Sequence, residues 1–136
     1  MNIMSEISKH VIDLATAKEV PWRPGYQNFP IAGKQQGVTV SATMAILQPG
    51  AGAPLHFHET ADEVLVVLEG ALDLTLGEER MTVPANSAIS IPARTPHSFV
   101  GAGPGTTRFL AYLPQQGAYI AATYLDGQRP LSDEIK

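Results

Sequence analysis

The chain has no cysteine. That excludes disulfide frameworks, thiolate metal sites and cysteine nucleophiles, and it fits a reducing compartment. Charge is sparse as well: Asp, Glu, Lys and Arg make up 16% of the residues, against about 25% in an average domain. A basic excess is missing, since 9 Lys and Arg stand against 13 Asp and Glu for a formal net charge of −4. This argues against nucleic acid or an anionic lipid surface as the main partner. No run of apolar residues reaches the roughly 18–20 of a membrane span. The segment Met1–His10 has no basic start followed by an apolar stretch, so it does not read as a signal peptide. The expected location is the cytoplasm. There is no internal repeat and no low-complexity tract.

What is present is one domain's worth of chain, 136 residues, long enough to bury a core without staples. Twelve Gly and eleven Pro imply many turns. From Val38 onward the pattern is that of strands. Val38, Val40, Ala42, Met44 and Ile46 alternate with Thr39, Ser41, Thr43, Ala45 and Leu47, and Pro49-Gly50 ends the run. Short apolar runs follow at Leu55–His58, Glu63–Leu68, Ala71–Leu76, Arg80–Val83, Ala88–Ile91, His97–Val100 and Thr107–Leu113. About eight short strands punctuated by turns predict an all-β sandwich or barrel, with its core over residues 38–113. Residues 1–37 read as an N-terminal arm. Within it Pro21–Tyr26 forms a rigid loop bearing Trp22 and Tyr26. Residues 114–136 form a C-terminal segment in which Tyr119–Leu125 reads as one or two helical turns, closed by Gly127 and Pro130.

Three of the four histidines fall inside the strand region. His56 and His58 flank Phe57, and residues two apart on a strand share a face, about 6.5–7 Å from each other. Two imidazoles so placed can converge on one ion. Glu63 opens the next strand after a connection short enough for a hairpin, so its carboxylate can approach the same point from a neighbouring strand. Asp62 is one residue out of register and points the other way. His97 opens a later strand directly after Pro96. Three neutral imidazoles and one carboxylate suit a divalent first-row metal and leave positions open for substrate.

The residues Gly50, His56, His58, Glu63 and Gly70 resemble the first motif of the cupin superfamily at all five fixed positions. The second motif is matched in part. Pro92 and His97 agree, whereas Asn86 and Arg94 stand where glycine is usual and Gly101 where asparagine is usual. Asn tolerates the left-handed turn that Gly offers, but Arg tolerates it poorly, so the turn at Arg94 is expected to differ. The resemblance implies a jelly-roll barrel of six or more strands with metal and pocket inside. It also implies His56, His58, Glu63 and His97 as ligands of one divalent ion (Fe, Mn, Ni, Cu, Co or Zn). It further suggests a homodimer, because the N-terminal forty residues are apolar yet have no evident place in the barrel, and open sheet edges invite pairing.

Alternation extends the site. Leu65 and Val67 share the face of Glu63, Phe99 shares that of His97, and Met44 lies on an apolar strand face, so these four are the expected pocket residues. Trp22, Tyr26, Tyr119 and Tyr124 lie in flanking segments that could cover the barrel mouth. No separate catalytic acid or base is evident. An apolar pocket around such an ion suits a small molecule that chelates through adjacent oxygens, an enol, a dione or a polyphenol. Small single-domain cupins resembling this chain include quercetinase-like dioxygenases, and the resemblance favours a dioxygenase-type oxidoreductase. The alternatives are a non-oxidative cyclase, isomerase or lyase, a stand-alone small-ligand-binding module, and a structural or storage role. The fold alone does not select among them.

Overall fold

A computed structural model describes residues 7–115 and 122–127. The fold is all-β, with eleven strands among the described residues, in two antiparallel sheets of jelly-roll type. The strands are β1 (Val20–Arg23), β2 (Tyr26–Ala32), β3 (Ser41–Leu47), β4 (Gly52–His58), β5 (Glu63–Glu69) and β6 (Ala71–Leu76). After them come β7 (Glu79–Pro84), β8 (Ser87–Ile91), β9 (His97–Gly101), β10 (Thr107–Leu113) and β11 (Ala122–Tyr124). One sheet has the order β1-β2-β3-β10-β5-β8 and the other β11-β4-β9-β6-β7. All eight strands expected from the apolar alternation are present, each within a few residues of its sequence boundary.

Three strands lie outside the span 38–113. The Pro21–Tyr26 segment is not an independent loop: β1 and β2 form a hairpin around Pro24-Gly25, and β2 pairs with β3. Pro21 sits in β1, an edge strand, and Pro30 sits where the β2–β3 register shifts. Edges and bulges are the places where a sheet tolerates proline's missing N–H. The N-terminal arm therefore has a place in the six-stranded sheet. At the other end, Ala122–Tyr124 is a strand and not a helical turn, because its residues pair with Phe57 and its two flanking histidines along the edge of β4. Leu125 follows the strand, its N–H donating to the Leu55 carbonyl at 2.9 Å, and residues 119–121, Tyr119 included, lie outside the described residues.

The core lies between the sheets. Leu47, Leu65, Val67, Leu72, Ile91, Phe99 and Phe109 meet there, and Tyr26 joins the cluster from β2. Phe109 packs edge-on to Phe99 at 5.2 Å and to Tyr26 at 6.2 Å, the favourable arrangement for ring quadrupoles. Gly70 turns the chain from β5 into β6 with φ +76°, and a Cβ there would sit 2.7 Å from the Thr106 carbonyl oxygen, so only glycine fits.

The turn at Arg94 keeps the left-handed conformation despite its side chain. Asn86 and Arg94 both have φ of +66°. Hydrogen bonds hold the loop: the Arg94 N–H donates to the His58 carbonyl at 2.8 Å, and the Ala93 N–H donates to Asp62 Oδ1 at 2.8 Å. Asp62 thus ties the second motif to the first. A non-glycine residue in this region costs about 1–2 kcal/mol, partly offset by the backbone entropy that glycine would lose on folding. Arg94→Gly is accordingly expected to raise the melting temperature by roughly 2–4 °C, read by scanning calorimetry. A lowered value would show that the arginine side chain supports the loop.

Candidate metal centre

His56 and His58 project from β4 and His97 from β9, and His56 stands directly opposite His97 in the ladder. Glu63 begins β5, which belongs to the facing sheet. The hairpin expected between β4 and β5 is therefore not formed: the connection crosses from one sheet to the other. Glu63 reaches the histidines across the interior, because inward side chains of two packed sheets interdigitate. All four residues are buried, and one donor atom from each can be chosen so that all lie within 4.8 Å of one another.

Local hydrogen bonds orient the rings. His56 Nδ1 lies 2.7 Å from the Pro54 carbonyl and His97 Nδ1 lies 2.9 Å from that of Thr95. A carbonyl only accepts, so each Nδ1 carries a proton and it is Nε2 that is turned to the centre, the atom that holds the lone pair in a neutral ring. Glu63 Oε1 is 3.4 Å from His58 Nε2 and 3.2 Å from His97 Nε2. These atoms are close but out of line for hydrogen bonding, and Glu63 Oε1 and His97 Nε2 are buried without a hydrogen-bond partner. Buried polar atoms are normally satisfied; a shared cation would satisfy both. The donor set therefore fits a divalent ion with imidazole and carboxylate ligands.

Burial, with the neighbouring His97, lowers the His56 pKa to about 4, so its imidazole is neutral at pH 7. Burial pushes the Glu63 carboxyl up, but His58 and His97 outweigh it and hold the group at about 2. Both shifts favour the protonation states that bind a metal.

A cavity of about 40 Å³ opens onto this cluster. By the same kind of measure one water needs roughly 10–15 Å³, so the space accepts the chelating end of a substrate. Its wall includes Trp22 and Tyr26 from the β1–β2 hairpin, Asn28 from β2, Ser41 and Thr43 from β3, Phe99 from β9 and Tyr124 from β11. Of the expected pocket residues, Phe99 lines the cavity. Leu65 and Val67 face inward, fully buried, but belong to the core cluster and not to the cavity wall. Met44 is a correction. It lies on the opposite face of β3, where the Arg108 guanidinium approaches its sulfur at 3.8 Å, and the inward phase is Ser41, Thr43, Ala45 and Leu47. Met44 is only 4% exposed, so β3 is covered on both faces and apolarity did not mark the inner one.

Trp22, Tyr26 and Tyr124 are wall residues. Burial first, then Glu63, pushes the Tyr26 phenol far above its usual range, so it stays protonated, with the Trp22 side chain hydrogen-bonded to it. Tyr124 stacks on His56 at 5.1 Å with an interplanar angle of 23°. Asn28, Ser41 and Thr43 carried no motif; only the alternation phase of β2 and β3 could have indicated them.

Comparison with known proteins agrees with this architecture. The family described as "Cupin domain" matches residues 43–112. The polyketide synthase CurC of Streptomyces cyaneus is 30% identical over 105 residues, 73% of this chain and 68% of that protein. Quercetin 2,3-dioxygenase of Bacillus subtilis is 44% identical over 50 residues, 37% of this chain but only 15% of that protein. Among solved structures, the polyketide cyclase RemF of Streptomyces resistomycificus superposes with a TM-score of 0.72 at 24% identity, over 86% of this chain and 85% of that one.

Proposed function

The chain belongs to the cupin family, and from that premise we propose that it is a metal-dependent enzyme acting on a small organic molecule that chelates one divalent transition-metal ion through its oxygens. The observation that carries the reading is the convergence of four buried donors, His56, His58, Glu63 and His97, on one point at the cavity, with two of their atoms lacking any hydrogen-bond partner. A divalent ion bound there would supply Lewis acidity, stabilising the deprotonated form of a chelated enol or phenol. The chain's own residues supply the rest. Trp22, Phe99 and Leu113 exclude water from the wall, Asn28, Ser41 and Thr43 offer orienting hydrogen bonds, and the protonated Tyr26 hydroxyl can donate to a substrate oxygen.

A dioxygenase-type reaction is the first reading, supported by the likeness to quercetin 2,3-dioxygenase and by Glu63 being the one carboxylate of the cavity wall among the described residues. A non-oxidative cyclase, isomerase or lyase is the second; the likeness to CurC, named a polyketide synthase and not an oxygenase, covers a larger share of both chains. Metal analysis followed by incubation with flavonols and cyclic diones, with and without dioxygen, separates them. Oxygen uptake in step with substrate loss is the expected result, and conversion at the same rate without oxygen would overturn the dioxygenase reading. A ligand that survives purification without turnover in either gas would mark a stand-alone binding module.

No helix among the described residues is long and apolar enough to cross a membrane. Separately, we propose the cytoplasm as the location on composition alone, which fits a reducing compartment. We also propose that it is a homodimer, joined through the outer face of the six-stranded sheet. There the half-buried Phe29, Leu110 and Val66 lie in one row across β2, β10 and β5, around the buried Met44 of β3. The half-exposed Tyr112, paired with Val64, continues this face. An apolar row of this kind on an outer face marks an association surface. Sedimentation equilibrium at tens of micromolar is expected to give twice the chain mass, and a Tyr112→Glu/Leu110→Glu variant to give the monomer. A wild-type monomer at that concentration overturns this assignment.

A further inference from the structure

One charged side chain beside the cavity has no role in the centre just described. In β1, Val20 pairs with Asn28 and Arg23 with Tyr26, so β1 carries one residue more than β2 between these pairs. Such a bulge re-aims side chains. Residues opposite each other on antiparallel strands share a face, and Tyr26 and Asn28 line the cavity. Arg23 is thereby turned to the same side as its neighbour Trp22; Trp22 lines the cavity, and Arg23 stands just outside its wall. Its guanidinium lies over the Tyr124 ring, with Cζ 5.1 Å from the centroid. Tyr124 in turn stacks on His56 at 5.1 Å. The charge therefore stands within about 10 Å of a proposed metal ligand, two steps of 5.1 Å away.

The cation–π contact uses the flat face of the guanidinium. Its edge is left over: Nε and Nη2 are both buried and neither has a hydrogen-bond partner. These two nitrogens sit on one edge of the group and point parallel N–H bonds in one direction. That fork matches the two oxygens of a carboxylate. No carboxylate of the described residues forms an ion pair with it; Glu63 faces the histidines and Glu69 is taken by Arg108. A buried charged donor pair left unmet is costly, and natural proteins keep one where a ligand completes it.

We propose that Arg23 binds a carboxylate of the substrate, so that the site takes a small organic acid whose other oxygens reach the His56–His58–Glu63–His97 centre. The proposal rests on the metal-site reading for the far end of the molecule, but the Arg23 contact is independent of it. Arg23 is then a specificity-determining residue, separating acids from their neutral analogues.

Trp22 is the sole tryptophan and lines the cavity, so its fluorescence reports binding directly. Succinate and its diamide, neither of which absorbs in the tryptophan range, serve as probes on metal-loaded and metal-free protein. Wild-type protein is expected to bind succinate at least about tenfold more tightly than the diamide, the scale of a charge-assisted hydrogen-bonded pair. Arg23→Met should lose that preference while keeping its metal content. Arg23→Lys should recover only part of it, since an ammonium keeps the charge and lacks the fork. Wild-type protein that binds neither probe, or binds both alike, overturns the proposal, as does undiminished succinate selectivity in Arg23→Met. If Arg23→Met does not fold, the wild-type preference and its partial loss in Arg23→Lys decide. The parallel preparations separate the two readings: a chain that holds no ion would make them behave identically, while the dependence on Arg23 would still stand or fall by itself.

Discussion

Changing His56 and His58 together to alanine is expected to abolish stoichiometric metal binding. Altering a residue that merely orients a ligand costs about 10–100-fold in metal affinity. This double change removes two of the four donors and should exceed that range. The geometry explains why no neighbour can substitute. His58 and His97 approach the same Glu63 oxygen from different strands, and His56 sits across the ladder from His97. Asp62 is engaged by the Ala93 N–H and points away. Elemental analysis of protein purified from its native host reads the result, with His58→Ala alone showing a sharp partial loss. The same double change should not unfold the chain, because it relieves the burial of polar rings that only a cation fully satisfies. Circular dichroism and thermal melting check that point. Full metal content in the double variant would show that the ion sits elsewhere.

Much of this arrangement is legible in the linear sequence, for identifiable physical reasons. A strand half-buried between two sheets must alternate, and a Gly or Pro must end it, so β3 to β10 announce themselves. His56 and His58 are visible because period two puts them on one face whatever the topology. What fails is whatever depends on non-local partners. The sequence around Glu63 shows a strand start; it does not show that β5 joins the other sheet. The β1–β2 hairpin is disguised by Pro21, Pro24 and Pro30, which suit an edge strand, a turn and a bulge. Three residues, Ala122–Tyr124, are too few to show any period, and only their pairing with β4 makes them a strand. Met44 misleads because β3 is covered on both sides, so the more apolar face is not the inner one. Arg23 is invisible for a related reason: alternation would send Trp22 and Arg23 to opposite faces, and only the bulge brings them together.

Phe99→Ala is expected to destabilise the protein by about 3–5 kcal/mol, a fall of roughly 10–15 °C in melting temperature for a chain of this size, while the metal site stays intact. The ring is 4% exposed and packs against both Tyr26 and Phe109, so its loss removes core contacts, one edge-to-face pair and one tilted ring contact. Yet the same ring also lines the cavity, and its strand neighbour two positions back is the ligand His97. Truncation should therefore widen the cavity at the wall next to the ion. The donor His97 keeps its own anchor, the Thr95 carbonyl, and needs nothing from Phe99 to hold its orientation. Three measurements on one variant distinguish the outcomes: melting temperature, metal content and the relative binding of larger and smaller chelating ligands. A core-scale loss of stability with wider ligand tolerance and full metal content is the expected combination. Core-scale destabilisation with ligand selectivity unchanged would show that Phe99 is packing alone and that the substrate stays on the side of Tyr26 and Tyr124. Loss of metal would show that the aromatic cluster, and not the local carbonyl contacts, holds the histidines in place.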